Sequence, residues 1–173
     1  MVTSTTVTSQ KTFINSIILA QSIDNNKQNQ QILTVAVPKS ATIFLKKGES
    51  YTGHLTAFDA KNLALTAEDY SQSFPIKDIK QIDFSKDDVW IMTPEGTSRR
   101  LPIRGIPIPI ENIPITSFSL KDELIEGTIN LGQVLTPEEF EKLTKDPKKI
   151  RVVQTIIFQD SDTLTIKLIA VKR

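Results

Sequence analysis

The segment "IRGIPIPIENIPI", Ile103 to Ile115, sets proline against isoleucine and constrains the chain more than any other stretch. Proline carries no backbone N–H and holds φ near about −65°, so the run cannot be helical and cannot lie inside a sheet. In an extended strand the N–H groups of residues i and i+2 point to one edge. Pro107 and Pro109 therefore remove donors from a single edge, while Ile106, Ile108 and Ile110 keep theirs on the other. Side chains divide in the same way, which predicts an edge strand that buries these isoleucines on one face and turns the prolines to the opposite face. A ligand for an SH3-type groove needs two prolines three residues apart, a spacing that Pro102, Pro107, Pro109 and Pro114 never meet.

The surrounding texture is β-rich from Leu33 onward, in short runs of Ile, Val, Thr and Phe separated by Gly, Pro, Asp and Asn. "QILTVAVP", "ATIFLKK", "YTGHLTAF" and "LALTAED" read as strands, and "FPIKDIKQIDF" places Ile76, Ile79, Ile82 and Phe84 as strand, one turn and strand. These spacings predict a small barrel over 33–86. "DVWIMTPEGTSRRLPI" reads as a hairpin bent at Pro94 and Gly96, and "GTINLGQVL" as a further strand. "TPEEFEKLTKDP" predicts a helix over 137–145, with Thr136 as N-cap, Pro137 at the first position, Glu139 completing a capping box and Pro147 closing the segment. "RVVQTIIF" and "TLTIKLIAVKR" form a terminal hairpin over 151–171, with Val153, Thr155 and Ile157 on one side and Leu164, Ile166 and Leu168 across the turn. No repeat period is visible.

The stretch Ala41 to Leu65, "ATIFLKKGESYTGHLTAFDAKNLAL", resembles the first signature of Sm-like proteins, whose small five-stranded, SH3-like barrels assemble into rings. Gly48, Tyr51, Gly53, Leu55, Phe58, Asp59, Asn62, Leu63 and Leu65 fill the places of that signature. The resemblance extends more weakly to residue 86 and implies a strongly bent barrel; in its RNA-binding form it implies that Asp59 and Asn62 contact the nucleic acid. Two departures stand out: only Ala60 and Lys61 separate the Asp from the Asn, and the Arg-Gly of the second signature is missing from "FPIKDIKQIDF". Arg104-Gly105 lies about forty residues beyond Asn62, too far for the family's spacing. More loosely, this barrel with "DVWIMTPEG" and a terminal hairpin looks like small cyanobacterial proteins of unassigned activity, a likeness that implies an export signal before "AQS".

Composition narrows the function. The chain has no cysteine, which removes disulfides, thiolate nucleophiles and cysteine metal sites together. Its 21 basic and 20 acidic residues leave a net charge of +1, a balance that weighs against life on phosphate backbones. "MVTSTTVTSQ" and "DNNKQNQQ" suit a flexible polar tail over 1–32. "TFINSIILAQS" between them carries part of a signal peptide, with Lys11 before a short apolar run and the small residues Ala20 and Ser22, but Asn15 and Ser16 interrupt it. A cytoplasmic protein is expected, with export to the cell envelope as the alternative. No run approaches the ~18–20 apolar residues of a spanning helix, so no integral membrane segment is expected.

No catalytic, cofactor or metal constellation emerges. His54 is the only histidine and alternates out of phase with Tyr51 and Leu55, which predicts a solvent-facing strand position. Nucleophile elbow, phosphate loop and dinucleotide fingerprint are all missing. Asp83, Asp87 and Asp88 are the weak candidates for a carboxylate pair; Glu138, Glu139 and Glu141 fit helix-dipole stabilisation, and Asp160 and Asp162 fit turn chemistry. Trp90, Arg99, Arg100 and Arg104, beside Pro107 and Pro109, form a candidate partner surface. The expectation is a mainly β protein: a tail, an Sm-like or SH3-like barrel over 33–86 and a β-rich unit over 87–173 with one short helix. It acts as a non-enzymatic binding or assembly module through contacts with a protein partner or with itself; the alternative is an RNA-binding Sm-like ring.

Overall fold

The computed structural model describes residues 30–86, 90–92, 95–100, 102–121, 126–160 and 162–172. The expected tail and partial signal segment, up to residue 29, and Asp87, Asp88 and Pro94 lie outside the described residues. The fold is mainly β, with an 11-stranded curled sheet and a separate two-stranded hairpin among the described residues.

The first part of the sheet is a meander. β2 (Ser40–Leu45), β3 (Ser50–Phe58), β4 (Asn62–Thr66) and β5 (Ser71–Pro75) pair in sequence order, a 3-10 turn follows at Ile76–Asp78, and β6 (Ile79–Phe84) returns to pair with β2. Two glycines make this curl possible. Gly48, in the turn after β2, has φ of 96°, a conformation that costs a side-chain-bearing residue free energy. A Cβ on Gly53 would lie 2.7 Å from the Thr66 carbonyl oxygen on β4, so only glycine lets the two strands close here. Ile43, Leu63, Leu65, Ile79 and Ile82 fill the interior and are fully buried.

β1 (Ile32–Ala36) does not join that meander, although the sequence groups it with 33–86. It pairs antiparallel with β11 (Glu126–Asn130), Leu33 opposite Ile129, and touches β12 (Lys149–Phe158) in parallel at Ala36 and Val152. β12 also forms the expected terminal hairpin with β13 (Thr163–Lys172). Its outer edge is shared: Val152 pairs with β1, whereas Thr155 to Ile157 pair with β6. Gln154 sits at this fork as an extra residue in the ladder. The bulge resets the alternation. Val153, Ile156 and Phe158 stand opposite Leu168, Ile166 and Leu164, so the expected row of Val153, Thr155 and Ile157 is broken. A second, smaller core of Val152, Ile169 and Val171, packed against Ala36, Ile103 and Ile150, covers part of the other face of the hairpin. Burial on both faces explains the nearly continuous apolar character of these strands.

β9 (Ile108–Pro114) runs into a 3-10 turn at Ile115–Ser117 and then β10 (Phe118–Lys121), which pairs with β11. The turn repeats the one after β5. Phe74-Pro75-Ile76-x-x-Ile79 and Ile113-Pro114-Ile115-x-x-Phe118 bury the same three apolar positions, and in each the last N–H donates to the carbonyl of the isoleucine after proline. Pro75 (φ −62°, ψ 133°) and Pro114 (φ −58°, ψ 134°) adopt the same conformation. A Pro-Ile-x-x-apolar signal is therefore used twice, without any fixed period along the chain. The remaining elements are the hairpin of β7 (Trp90–Met92) and β8 (Ser98–Arg100), and α1 (Pro137–Thr144), which begins with the expected capping box.

Candidate protein-contact site

The proline run is an edge strand, as its backbone parity requires. Among the described residues β9 pairs with β13 alone, placing Ile108 opposite Leu168, Pro109 opposite Lys167, Ile110 opposite Ile166, Ile113 opposite Leu164 and Pro114 opposite Thr163. Two residues on β9, Glu111 and Asn112, thus stand against one on β13, Thr165, and Asn112 absorbs the excess at φ of 57°, a left-handed conformation that asparagine tolerates well. This bulge has a second effect: it brings Pro114 into the same phase as Pro109 relative to the partner strand. Both missing donors then belong to the free edge, and the ladder to β13 loses none.

The burial of the isoleucines differs from the expectation. Ile110 and Ile113 are buried, but Ile106 is 89% exposed and Ile108 is 44% exposed. Parity assigns a face to each residue; whether another element covers that face is a separate matter. At the start of β9 the cover ends. Ile108 instead lines an open depression of about 480 Å³ with Leu143 at the end of α1 and Ala170 on β13.

Arg151 fixes the wall of that depression. It is buried to 9% exposure on β12, and its guanidinium donates to the carbonyls of Leu143, Asp146 (3.0 Å) and Lys149 (2.6 Å). A cation thereby satisfies the Leu143 carbonyl in the last turn of α1, binds the Asp146 and Lys149 carbonyls that follow, and ties the helix to the sheet. At the other end of α1, the Thr136 N–H donates to Glu139 Oε2 (2.8 Å) and the Glu139 N–H donates to Thr136 Oγ1 (3.3 Å). The bond from the Thr136 backbone, with that from its hydroxyl, holds the Glu139 carboxyl below its usual range.

The other residues singled out by sequence fall in separate places. Arg99 and Arg100 are exposed on β8, with Arg100 opposite Trp90 in the hairpin; Arg104 is exposed on the approach to β9, where Pro107 is half-buried and Pro109 exposed. Asp59 and Asn62 occupy the turn from β3 to β4. Asp59 Oδ1 accepts from the N–H groups of Lys61 (2.7 Å) and Asn62 (2.8 Å), bonds that hold its carboxyl below the usual range. The Asn62 side chain is exposed at the start of β4. Asp160 repeats this arrangement between β12 and β13, accepting from Asp162 and Thr163 at 2.8 Å each, with the same lowering of its carboxyl. Asp83 accepts from Gln81 Nε2 (2.7 Å) and Thr155 Oγ1 (3.1 Å), so it joins β6 to β12.

His54 is exposed, with Nδ1 3.4 Å from Ser40 Oγ. Among the described residues no group of three or more His, Asp or Glu is placed to hold a metal ion. No helix among them is long and apolar enough to cross a membrane. Tyr51, Tyr70 and Phe74 form an aromatic cluster on the meander, with Tyr51 and Phe74 centroids 4.9 Å apart, beside a smaller depression of about 230 Å³. There the Tyr51 hydroxyl donates to Glu49, and this bond with a carboxylate raises its pKa.

The basic character of the depression is what sequence reasoning missed. Residues 142–151, "KLTKDPKKIR", hold five cations against one acid, a cluster hidden by the near-zero net charge of the chain. A sliding count of charge would have found it. No family model, curated protein or solved structure matches the chain.

Proposed function

We propose that this protein is a binding or assembly module that works through protein contacts at the start of β9, using an SH3-like or Sm-like barrel as its scaffold. One observation carries the reading: Ile106 and Ile108 are exposed on a segment whose free backbone edge lacks donors at Pro109 and Pro114. Such an edge blocks extension of the sheet by an added strand while leaving apolar side chains available to a partner. Contact is therefore made by side chains. The turn at Gly48, the close approach at Gly53 and the return of β6 to β2 support the scaffold assignment. Engagement of Asp59 by two backbone donors favours protein contact over the RNA-binding ring.

A photoreactive phenylalanine analogue in place of Ile106 tests the reading in cells. A discrete cross-linked protein or a second copy of the chain is the expected product, reduced by Ile108→Asp. Failure to cross-link any protein, together with recovery of RNA that depends on Asn62, would overturn it.

A further inference from the structure

The depression beside Ile108 has the chemistry of a specific kind of partner. Its apolar lining is Ile108, Leu143 and Ala170, and around these stand Lys142, Lys145, Lys149 and Arg151 with a single carboxylate, Asp146. Lys149 also lies directly opposite Lys172 in the ladder between β12 and β13, a like-charge pair that is unfavourable within the folded chain. Asp146 offers the local compensation, at 3.9 Å from Lys149 Nζ, and no described carboxylate pairs with Lys145 or Lys172. Arg151 is held by three carbonyls and brings no carboxylate with it. Lys142 has Glu139 one turn earlier on α1 as a further offset, and the rim, with one aspartate among its cations, remains positive on balance around apolar side chains.

We propose that this depression binds an acidic segment of a partner protein, with an apolar side chain lowered onto Ile108, Leu143 and Ala170 and flanking carboxylates placed against Lys142, Lys145 and Lys149. The proposal rests on the protein-contact reading and adds the chemistry of the partner. Charge complementarity selects an anion. The concavity then selects among anions, because a side chain can descend into a depression of about 480 Å³ and a flat bilayer surface cannot. The floor is aliphatic and lacks the aromatic platforms on which single-stranded nucleic acids stack. The peptide lies against β9 without joining its ladder, since Pro109 leaves the free edge without a donor beside the depression.

The test uses the full chain and an array of short peptides, each with one apolar residue flanked by Asp or Glu, beside neutral and Lys-flanked versions of the same peptides. Acidic peptides should bind at least about tenfold more tightly than their neutral counterparts, and salt should weaken them. Lys145→Glu with Lys149→Glu should remove that preference, and Ile108→Asp should weaken binding while circular dichroism stays unchanged. Equal binding of acidic and neutral peptides overturns the proposal, as does Lys145- and Lys149-dependent binding to phosphatidylserine vesicles or oligonucleotides without peptide binding. Cross-linking of a protein from position 106 with no preference for acidic peptides would reject this inference and leave the protein-contact reading standing; loss of both would reject the two together.

Discussion

The meander of β2 to β6 and the assembly of β1 with β9 to β13 use the same parts in opposite ways. In the meander, neighbours in sequence are neighbours in the sheet, and a single 3-10 turn brings β6 back to β2. In the other region, β1 comes from one end of the described chain to pair with β11 and β12, while β9 pairs with β13. Each region has one Pro-Ile 3-10 turn and an aspartate that accepts from the N–H groups two and three residues on, Asp59 and Asp160. Local devices are thus common to both; what differs is the distance along the chain over which strands must find one another. Loop closure makes distant pairings costlier to initiate, so the meander is the better candidate for early folding.

The contrast can be broken most forcefully at the strand that both regions share. Ile82 of β6 is fully buried and stands between Ile43 of β2 and Ile156 of β12. Ile82→Ala should cost about 2–5 kcal/mol in urea denaturation and lower the stability of both regions in one transition. Two separate transitions would show that the shared strand does not couple them. Gly53→Ala acts on the meander alone, forcing a Cβ toward the Thr66 carbonyl. A loss of about 1–3 kcal/mol is expected by the same measurement, from overpacking against backbone that cannot rotate away.

Thr136→Ala sharpens the other side by removing the capping box of α1. It should cost about 1 kcal/mol, with hydrogen exchange rising first at the start of the helix. The smallest effect is expected where the two regions are alike. Asp59 and Asp160 have carboxyls held low by backbone donors in the folded chain, so the folded state binds fewer protons than the unfolded state across the acid range. Their contribution is present above the ordinary aspartate pKa of about 3.9 and fades as pH falls through the depressed folded values. Asp59→Asn with Asp160→Asn keeps the accepting oxygens and removes this titration. Urea midpoints between about pH 7 and about pH 3 should therefore fall less steeply in the variant; an unchanged slope would place the acid sensitivity elsewhere.

Legibility in the sequence follows the same division. The capping box of Thr136 and Glu139, the turn at Asp160 and the one-sided edge of β9 have causes within a few residues, and each was open to inspection in the sequence. The exposure of Ile106 and Ile108, the bulges at Asn112 and Gln154 and the departure of β1 from the meander depend on partners far along the chain. "QILTVAVP" reads as a strand under any partner, and nothing in it names β11. Val153, Thr155 and Ile157 look like one face because alternation is a local rule, and only the register of β12 against β13 shows Gln154 as an extra residue among them. The candidate site is divided likewise: the prolines were visible, whereas the meeting of Ile108 with Leu143 and Ala170 needed the fold.

The fork of β12 also sets a schedule for the chain during synthesis. β1 leaves the ribosome before any part of the meander, yet its partners on β11 and β12 emerge only after the meander and β9 are made. At ordinary elongation rates the wait is on the order of ten seconds, during which Leu33 and Val35 stay without the neighbours that later bury them. The earliest of the described strands waits longest for its first partner, and for that interval the newborn chain offers chaperones an unpaired apolar strand beside a meander already complete.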